Sequence, residues 1–408
     1  MDENECKRYM KRRRDMRLGL FFILLILLSL LLAGCWDRIE VNDMALIISA
    51  GIDKSEDDQI ELTVQVFIPN PTGAGSEGSG GGGEGNVYTM SAKGRSMADA
   101  LTDLQKKLPR YFSWGHAKAY FFGEALARQG MYNEFDFLFR DIQPREQANF
   151  FVCKGSAKKL LESQNDPNTY ETLIKLSQKP TTRSSTMHEV EELFSGESGA
   201  FLLPVASLTS MISNRSEKSI LSVDGMSVIQ RKKLVGFLSS RSQIGIRILK
   251  HAELGRNITI TRKEDGGEIV IRVINSKVRM LPSIENGKWK MRVKLKLDAD
   301  VVQNSTTLII ANGSNNLRKI EGPFNEEIKK LMENTMDQLQ KELKTDVVGF
   351  ARAFHKKYPH EWKKVKENWN SVFQTVDVQL EVNSTIHRPG ISNIPELSNR
   401  RGRNEGIQ

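Results

Sequence analysis

From Lys288 to Leu297 the chain reads KWKMRVKLKL, with Trp289, Met291, Val293, Leu295 and Leu297 alternating with Lys288, Lys290, Arg292, Lys294 and Lys296. Successive side chains of a strand point to opposite faces, so this period of two demands a strand with one apolar face on a core and one cationic face. A helix would scatter both sets around its axis. Further on, Ile328, Leu331, Met332, Leu339, Leu343, Val347, Phe350 and Phe354 recur at helical spacing and predict one long amphipathic helix over 325–354. Each element leaves an apolar face that needs a cover, and the two fit each other. The C-terminal half is therefore expected to be an antiparallel sheet packed on this helix, with Trp289, Val293 and Leu297 meeting Leu331, Leu339 and Leu343.

Turn signals support the sheet. Asp265-Gly266-Gly267 and Asn286-Gly287 separate strand-like runs, and VFQTVDVQLEVNSTI supplies a last strand. In the first half, MALIISAGIDKSEDDQIELTVQVFIP reads as a hairpin around a charged turn. Ser96 and Asp99 form a capping pattern before a helix with Met97, Ala100, Leu101, Leu104 and Leu108 on its apolar face. Strand-like HAKAYFFGE and ANFFVCKG then alternate with helix-like EALARQGMYNEFDFLFRDI and SAKKLLESQ. The fold class expected is α+β and multi-domain, with a mixed α/β N-terminal region and the C-terminal sheet-plus-helix unit. The boundaries expected are an N-terminal region over 35–206, a linker at 207–220, a C-terminal domain over 221–391 and a polar tail at 392–408. A Gly/Ser-rich stretch at 73–85 has no apolar residue to bury and lacks the G-K-[ST] of a phosphate loop, so it is expected as a surface loop.

The start of the chain carries a different message. A basic segment precedes an apolar run that stops at Leu32-Ala33-Gly34-Cys35, the layout of a secretory signal ending in a bacterial lipobox. The chemistry needs a thiol at the first mature position to carry a diacylglyceryl group, so residues 1–34 are expected to be removed and Cys35 to become a lipid anchor. An uncleaved span is the alternative, because Leu18 to Trp36 approaches the roughly 20 residues that cross a bilayer. Its unbroken apolar core is short and ends in A-G-C-W, which favours cleavage. The formal net charge of +9 falls to +6 without the leader, so part of the basic character is targeting alone.

No constellation for catalysis emerges. The six histidines show no H-x-x-x-H pair, His188 begins only half of a zinc-protease motif, and there is no G-x-S-x-G or C-x-x-C. With Cys6 in the leader and Cys35 lipidated, Cys153 stands alone in the apolar run NFFVCKG and is expected as a buried strand residue. No cofactor or metal is expected, and the chain is not expected to be an enzyme. The cations Lys288, Lys290, Arg292, Lys294 and Lys296 form a candidate face for a partner or anionic lipid. The reading favoured is a solvated face, or lysines guarding an edge strand against aggregation. Nucleic acid is disfavoured, because the basic residues lack interleaved aromatics and the chain is expected to be exported.

Several motifs in order give the chain a resemblance to a known family. They are GCWDRIEVNDMALIISAGID from Gly34, HAKAYFFGEALARQG, FDFLFRDIQPR, DGMSVIQRKKLVGFL, DVVGFARAFHKKYPHEWKKVKENWNSVF and IHRPG. Gly34, Cys35, Trp36, Asp37, Arg38, Glu40 and Asn42 look like the opening of that family. The chain resembles the Ger(x)C spore germination lipoproteins, the C subunits of nutrient germinant receptors, over nearly its whole length. The resemblance implies a non-enzymatic, extracytoplasmic subunit on the inner spore membrane. It implies partners: a transporter-like polytopic subunit and a large membrane subunit with a soluble domain. Only Cys35 carries over with defined chemistry, and the glycine-rich stretch departs from the family pattern. The alternative is a solute-binding lipoprotein that hands a ligand to a membrane transporter; parallel βα units in both halves would mark it.

Overall fold

The computed structural model describes residues 16–23, 43–68, 86–140, 147–163, 185–194, 196–213, 216–250, 257–310 and 315–388. Cys35, the glycine-rich stretch at 73–85 and the tail at 392–408 lie outside the described residues; of the leader, residues 16–23 are described and are helical. Among the described residues no helix is long and apolar enough to cross a membrane. The fold is α+β. Its strands form two sheets, one of ten strands and one of four.

The first sheet opens with the expected hairpin, β1 (Met44–Lys54) and β2 (Ile60–Ile68), extended by the antiparallel β3 (Asn86–Gly94). Helix α1 (Met97–Gln105) follows, and the Ser96 hydroxyl accepts from Asp99 N at 3.2 Å, as its capping pattern predicts. Two strands, β4 (Tyr111–Ser113) and β5 (Ala119–Phe122), pair in parallel with β1, and β6 (Asn149–Cys153) continues the parallel series. Between them EALARQGMYNEFDFLFR folds as two helices, α2 (Glu124–Gln129) and α3 (Tyr132–Arg140). The break is Gly130, whose φ of 136° no other residue adopts cheaply. A parallel strand covered on both faces needs an almost continuous apolar run, and β5 (Ala119–Phe122) and β6 after Asn149 provide it. Tyr120, Phe122, Phe150 and Val152 join the core beneath α1 to α3, while Ala119, Phe121, Phe151 and Cys153 face the helix α4 (Ala157–Glu162). The carboxylate of Asp53 on β1 accepts from Ala157 N, Lys158 N and Ser156 Oγ at 2.9, 2.7 and 3.1 Å, and fixes the start of that helix. Burial pushes the Asp53 pKa up against those hydrogen bonds.

The short β7 (Ser185–Thr186) pairs with β6 and leads into α5 (Met187–Phe194). The next strands correct two expectations. Within the expected linker, residues 207–213 and 216–220 are strand: β8 (Ala200–Ser213) and β9 (Ser216–Gln230) form one long antiparallel ribbon, with Ser207 opposite Ser222 and Ser213 opposite Ser216. The base of the ribbon buries Phe201, Leu203, Val205, Val223 and Val228, while its outer part is a backbone ladder between Ser/Thr-rich segments without an alternating apolar signal. With β10 (Lys233–Phe237), paired to β9 around the Arg231-Lys232 turn, it completes the first sheet. Residues 221–237, expected at the head of the C-terminal domain, thus belong to the first sheet.

The second sheet runs β11 (Asn257–Thr261), β12 (Glu268–Glu285), β13 (Lys288–Asn304) and β14 (Asp377–Arg388). Both predicted turns are present, with positive φ at Gly266, Asn286 and Gly287. The sheet is antiparallel except at its last pair, since β14 lies parallel to β13. A parallel return needs a long crossover, and the helical segment between the two strands supplies it. That crossover is not the single helix 325–354. Helix α7 (Asn315–Asp337) begins ten residues earlier and ends in a π turn over Gln338–Glu342; after the loop 343–349 comes α8 (Phe350–Lys357). Two short helices, α9 (Pro359–Val365) and α10 (Trp369–Thr375), finish the layer. Met291, Val293, Leu295 and Leu297 share one core with Leu331, Met332, Met336 and Leu339, and Trp289 and Leu343 pack at its margin. Trp289 meets Phe354 and Trp369 with ring centroids 4.7 and 5.8 Å apart. Helix α6 (Ser240–Leu249), which links the two sheets in sequence, lies so close to α7 that a Cβ at Gly245 would stand 2.1 Å from Thr335 Oγ1.

Candidate interaction surface

The solvent face of the second sheet gathers the cations that the sequence marks. Lys288, Arg292 and Lys296 on β13 are exposed and Lys290 and Lys294 partly so, while the residues between them turn inward. β13 lies between β12 and β14, so the lysines do not guard an edge strand. Cross-strand partners share a face, which brings in two cations that sequence reasoning missed: Lys277 lies opposite Lys296, and Arg279 opposite Lys294. Their signal is the alternation in NSKVRM. It is blurred upstream by register shifts at Val270/Ile271 and Val273/Asn275, which reset the phase of β12. Leu281, opposite Arg292, is 44% exposed in the midst of the cations.

Three carboxylates share this part of the face. Glu381 on β14 pairs with Lys294 at 2.8 Å and Arg292 at 3.5 Å, Glu285 pairs with Lys290 at 2.7 Å, and Asp377 lies across from Lys290. The lysine hydrogen bond and charge hold the Glu285 carboxyl below its usual range and raise the Lys290 ammonium. At the far end Asp298 pairs with His387 at 3.0 Å. Among the described residues Lys277, Arg279, Lys288 and Lys296 have no carboxylate within ion-pair distance. The face is thus a two-strand cationic array, neutralised along its β14 side and open along β12.

Elsewhere the chemistry is structural. Among the described residues no group of His, Cys, Asp and Glu is placed to hold a metal ion. Cys153 is fully buried on β6, and burial, with a smaller contribution from the Asp53 charge, pushes its thiol pKa well up. A buried neutral thiol is a poor nucleophile. In a chain starting at Trp36, where Cys153 is the single cysteine, a thiol reagent is expected to react only on denaturation. Rapid labelling of the native protein would contradict this burial.

Sequence reasoning also missed a buried hub. Asp346, fully buried, accepts from Val348 N, Gly349 N and Phe350 N through Oδ1, and from Ala351 N and Trp369 Nε1 through Oδ2, at 2.6 to 3.2 Å. Its carboxylate starts α8 and ties α10 to it. The two halves of the chain meet nearby, where His355 Nδ1 lies 3.1 Å from Glu197 and Arg231 donates to the Glu367 carbonyl at 3.2 Å.

Comparison with known proteins divides the chain within the β8–β9 ribbon, close to the boundary that the sequence suggests. Residues 37–208 match the family described as "Spore germination protein N-terminal domain", and residues 224–390 match "Spore germination B3/ GerAC like, C-terminal". Spore germination protein B3 of Bacillus subtilis (strain 168) is 26% identical over 376 residues, covering 90% of this chain and 96% of its own length. Spore germination protein KC of the same organism is 24% identical over 399 residues, covering 92% and 97%. A solved structure, "Crystal Structure of the GerBC protein", superposes with a TM-score of 0.53 at 21% identity over 83% of this chain and 96% of that one, a likeness of fold. With both family domains present in order, the chain belongs to the Ger(x)C family of spore germination proteins.

Proposed function

We propose that the protein is the lipid-anchored, extracytoplasmic subunit of a nutrient germinant receptor at the inner spore membrane, assembling there with membrane-embedded subunits. The observation that carries this reading is the adjacency of two signals: the family match begins at residue 37, two residues after the lipobox Cys35. A chain cleaved before Cys35 would present the whole matched region outside the membrane with its anchor at the first residue. Two acyl chains give stable attachment where one gives only marginal binding. The protein serves as an assembly and signalling component, and we ascribe no catalytic step to it. A two-lobed solute-binding protein is disfavoured, because one sheet is mixed with a parallel centre and the other is largely antiparallel.

Cys35→Ala is expected to abolish incorporation of labelled fatty acid, since no other cysteine occupies a lipobox position. Retained label would sink the anchor assignment. Membrane release is a poorer readout, because an uncleaved mutant keeps its apolar leader. Assembly is tested separately: the tagged wild-type chain, recovered from detergent-solubilised spores, should bring membrane receptor subunits with it. Recovery of the chain alone would overturn that part.

A further inference from the structure

We propose that the cationic face of the second sheet, centred on Lys277, Arg279, Lys294 and Lys296, is a docking surface for anionic phospholipid headgroups. The proposal rests on the lipid-anchor reading for the protein's nearness to a membrane. Lys277 stands directly across from Lys296, and Arg279 across from Lys294. Like charges directly opposite on one sheet face destabilise it. Among the described residues, Lys294 alone of these four has a carboxylate close enough to form an ion pair, the Glu381 it shares with Arg292. A face that merely needed solubility would set opposite signs across neighbouring strands, as β13 and β14 do at Lys290/Asp377 and Lys294/Glu381. Uncompensated repulsion in the middle of a sheet is explained by a polyanion that relieves it on binding.

The form of the face selects the occupant. Its cations are long side chains in rows along two adjacent strands, and among the described residues those on the β12 side have no salt-bridge partner to fix their orientation. Such an array suits many equivalent mobile charges better than one partner's fixed carboxylates. Leu281, 44% exposed opposite Arg292, adds an apolar side chain at the centre, where an interface offers it a site that water does not. Of the carboxylates present, Glu285, Asp377 and Glu381 lie at the turn end and on the β14 side, and Asp298, paired with His387, feels the Lys277 charge from the far end without forming an ion pair with it, so the β12 side is open at Arg279.

The test uses the chain from Trp36 onward. The clustered core residues lie between Ala45 and Ile386, so this form keeps its cores, and it lacks Cys35, so the result is independent of the anchor. It is expected to float with phosphatidylglycerol/phosphatidylcholine vesicles and not with phosphatidylcholine alone. Affinity should fall more than tenfold between about 0.1 and 0.5 M salt as screening tightens. The variant Lys277→Glu/Arg279→Glu/Lys296→Glu should lose more than tenfold, at roughly fivefold per cation. Lys356→Glu/Lys363→Glu/Lys364→Glu, with the same net charge but altered on the helical layer, should bind like wild type. Lys296→Glu alone separates function from folding: it turns a like-charge pair into an opposite one, so Tm should hold or rise while vesicle affinity falls several-fold. Three results would overturn the proposal: no binding of the wild-type form to anionic vesicles, equal losses in the two triple variants, or a face that captures solubilised receptor subunits without binding vesicles. The last would make it a protein interface. A Cys35→Ala chain that still carries label would remove the anchor assignment and leave the vesicle result standing.

Discussion

Asp346→Ala is expected to lower the stability of the second sheet and its helical layer by roughly 3 kcal/mol or more, because five N–H groups converge on one fully buried carboxylate. Hydrogen bonds to a charged acceptor are each worth about 1.5–3 kcal/mol, and donors stranded in a dry interior keep their desolvation cost. The consequences are not confined to the loop 343–349. Four of the donors are backbone groups at the start of α8, and the fifth is the indole of Trp369, whose ring packs on Trp289, Phe354 and Trp362 at centroid distances of 5.8, 5.7 and 5.0 Å. Asp346→Asn keeps the shape but turns an amide NH2 toward one set of donors, so a loss of about 2 kcal/mol or more is expected there as well. Trp369→Phe removes a single donor and retains a ring, and its cost should be smaller than that of Asp346→Ala. Urea denaturation read at equal slope orders the three variants. A loss below about 1 kcal/mol for Asp346→Ala would show that the hub is dispensable.

That hub also marks where sequence reasoning stops. Val347, Phe350 and Phe354 continue the apolar stripe of α7 at helical spacing, and periodicity alone extends the helix through them. What ends it is local: Lys344 at a φ of 50°, then β-branched Thr345, Val347 and Val348 around a carboxylate that prefers backbone donors, before Gly349 at a φ of 91° opens α8. The outer part of the ribbon over 200–230 was hidden for the opposite reason, since toward its turn it pairs Ser/Thr-rich segments, whereas its base buries Phe201, Leu203, Val205, Val223 and Val228. Elements that bury one or both faces were legible: β13 from its alternation, β5 and β6 from their continuous apolar runs, α1 from Ser96. So was Cys153 as a packed strand residue. Half of the cationic face was legible in the same way. The other half depends on which strand lies beside β13 and in what register. Pairing and register arise from the whole sheet, and a local pattern cannot carry them.

Leu339→Ala is expected to cost roughly 2–5 kcal/mol, the loss that follows from removing buried methyl groups and leaving a cavity that neighbours fill only in part. Leu339 is fully buried in the π turn that ends α7, in one core with Leu331, Met336, Val293 and Leu297. The wider π turn brings it round to that core while Gln340 points the other way, donating to the carbonyls of Phe373 and Val376 at 2.8 and 2.9 Å. The substitution therefore hollows the point where α7, α10 and the sheet meet. Arg292→Ala on the opposite face supplies the contrast. That side chain is 52% exposed and lies 3.5 Å from Glu381, which Lys294 already neutralises at 2.8 Å, so about 0.5 kcal/mol or less is expected. Thermal and urea unfolding of the two variants side by side measure the asymmetry between the faces of one strand. A neutral Leu339→Ala with a costly Arg292→Ala would reverse the assignment of inside and outside. The Arg292–Glu381–Lys294 cluster would then be a structural network, and only the β12 side of the face would keep charges free to meet a membrane.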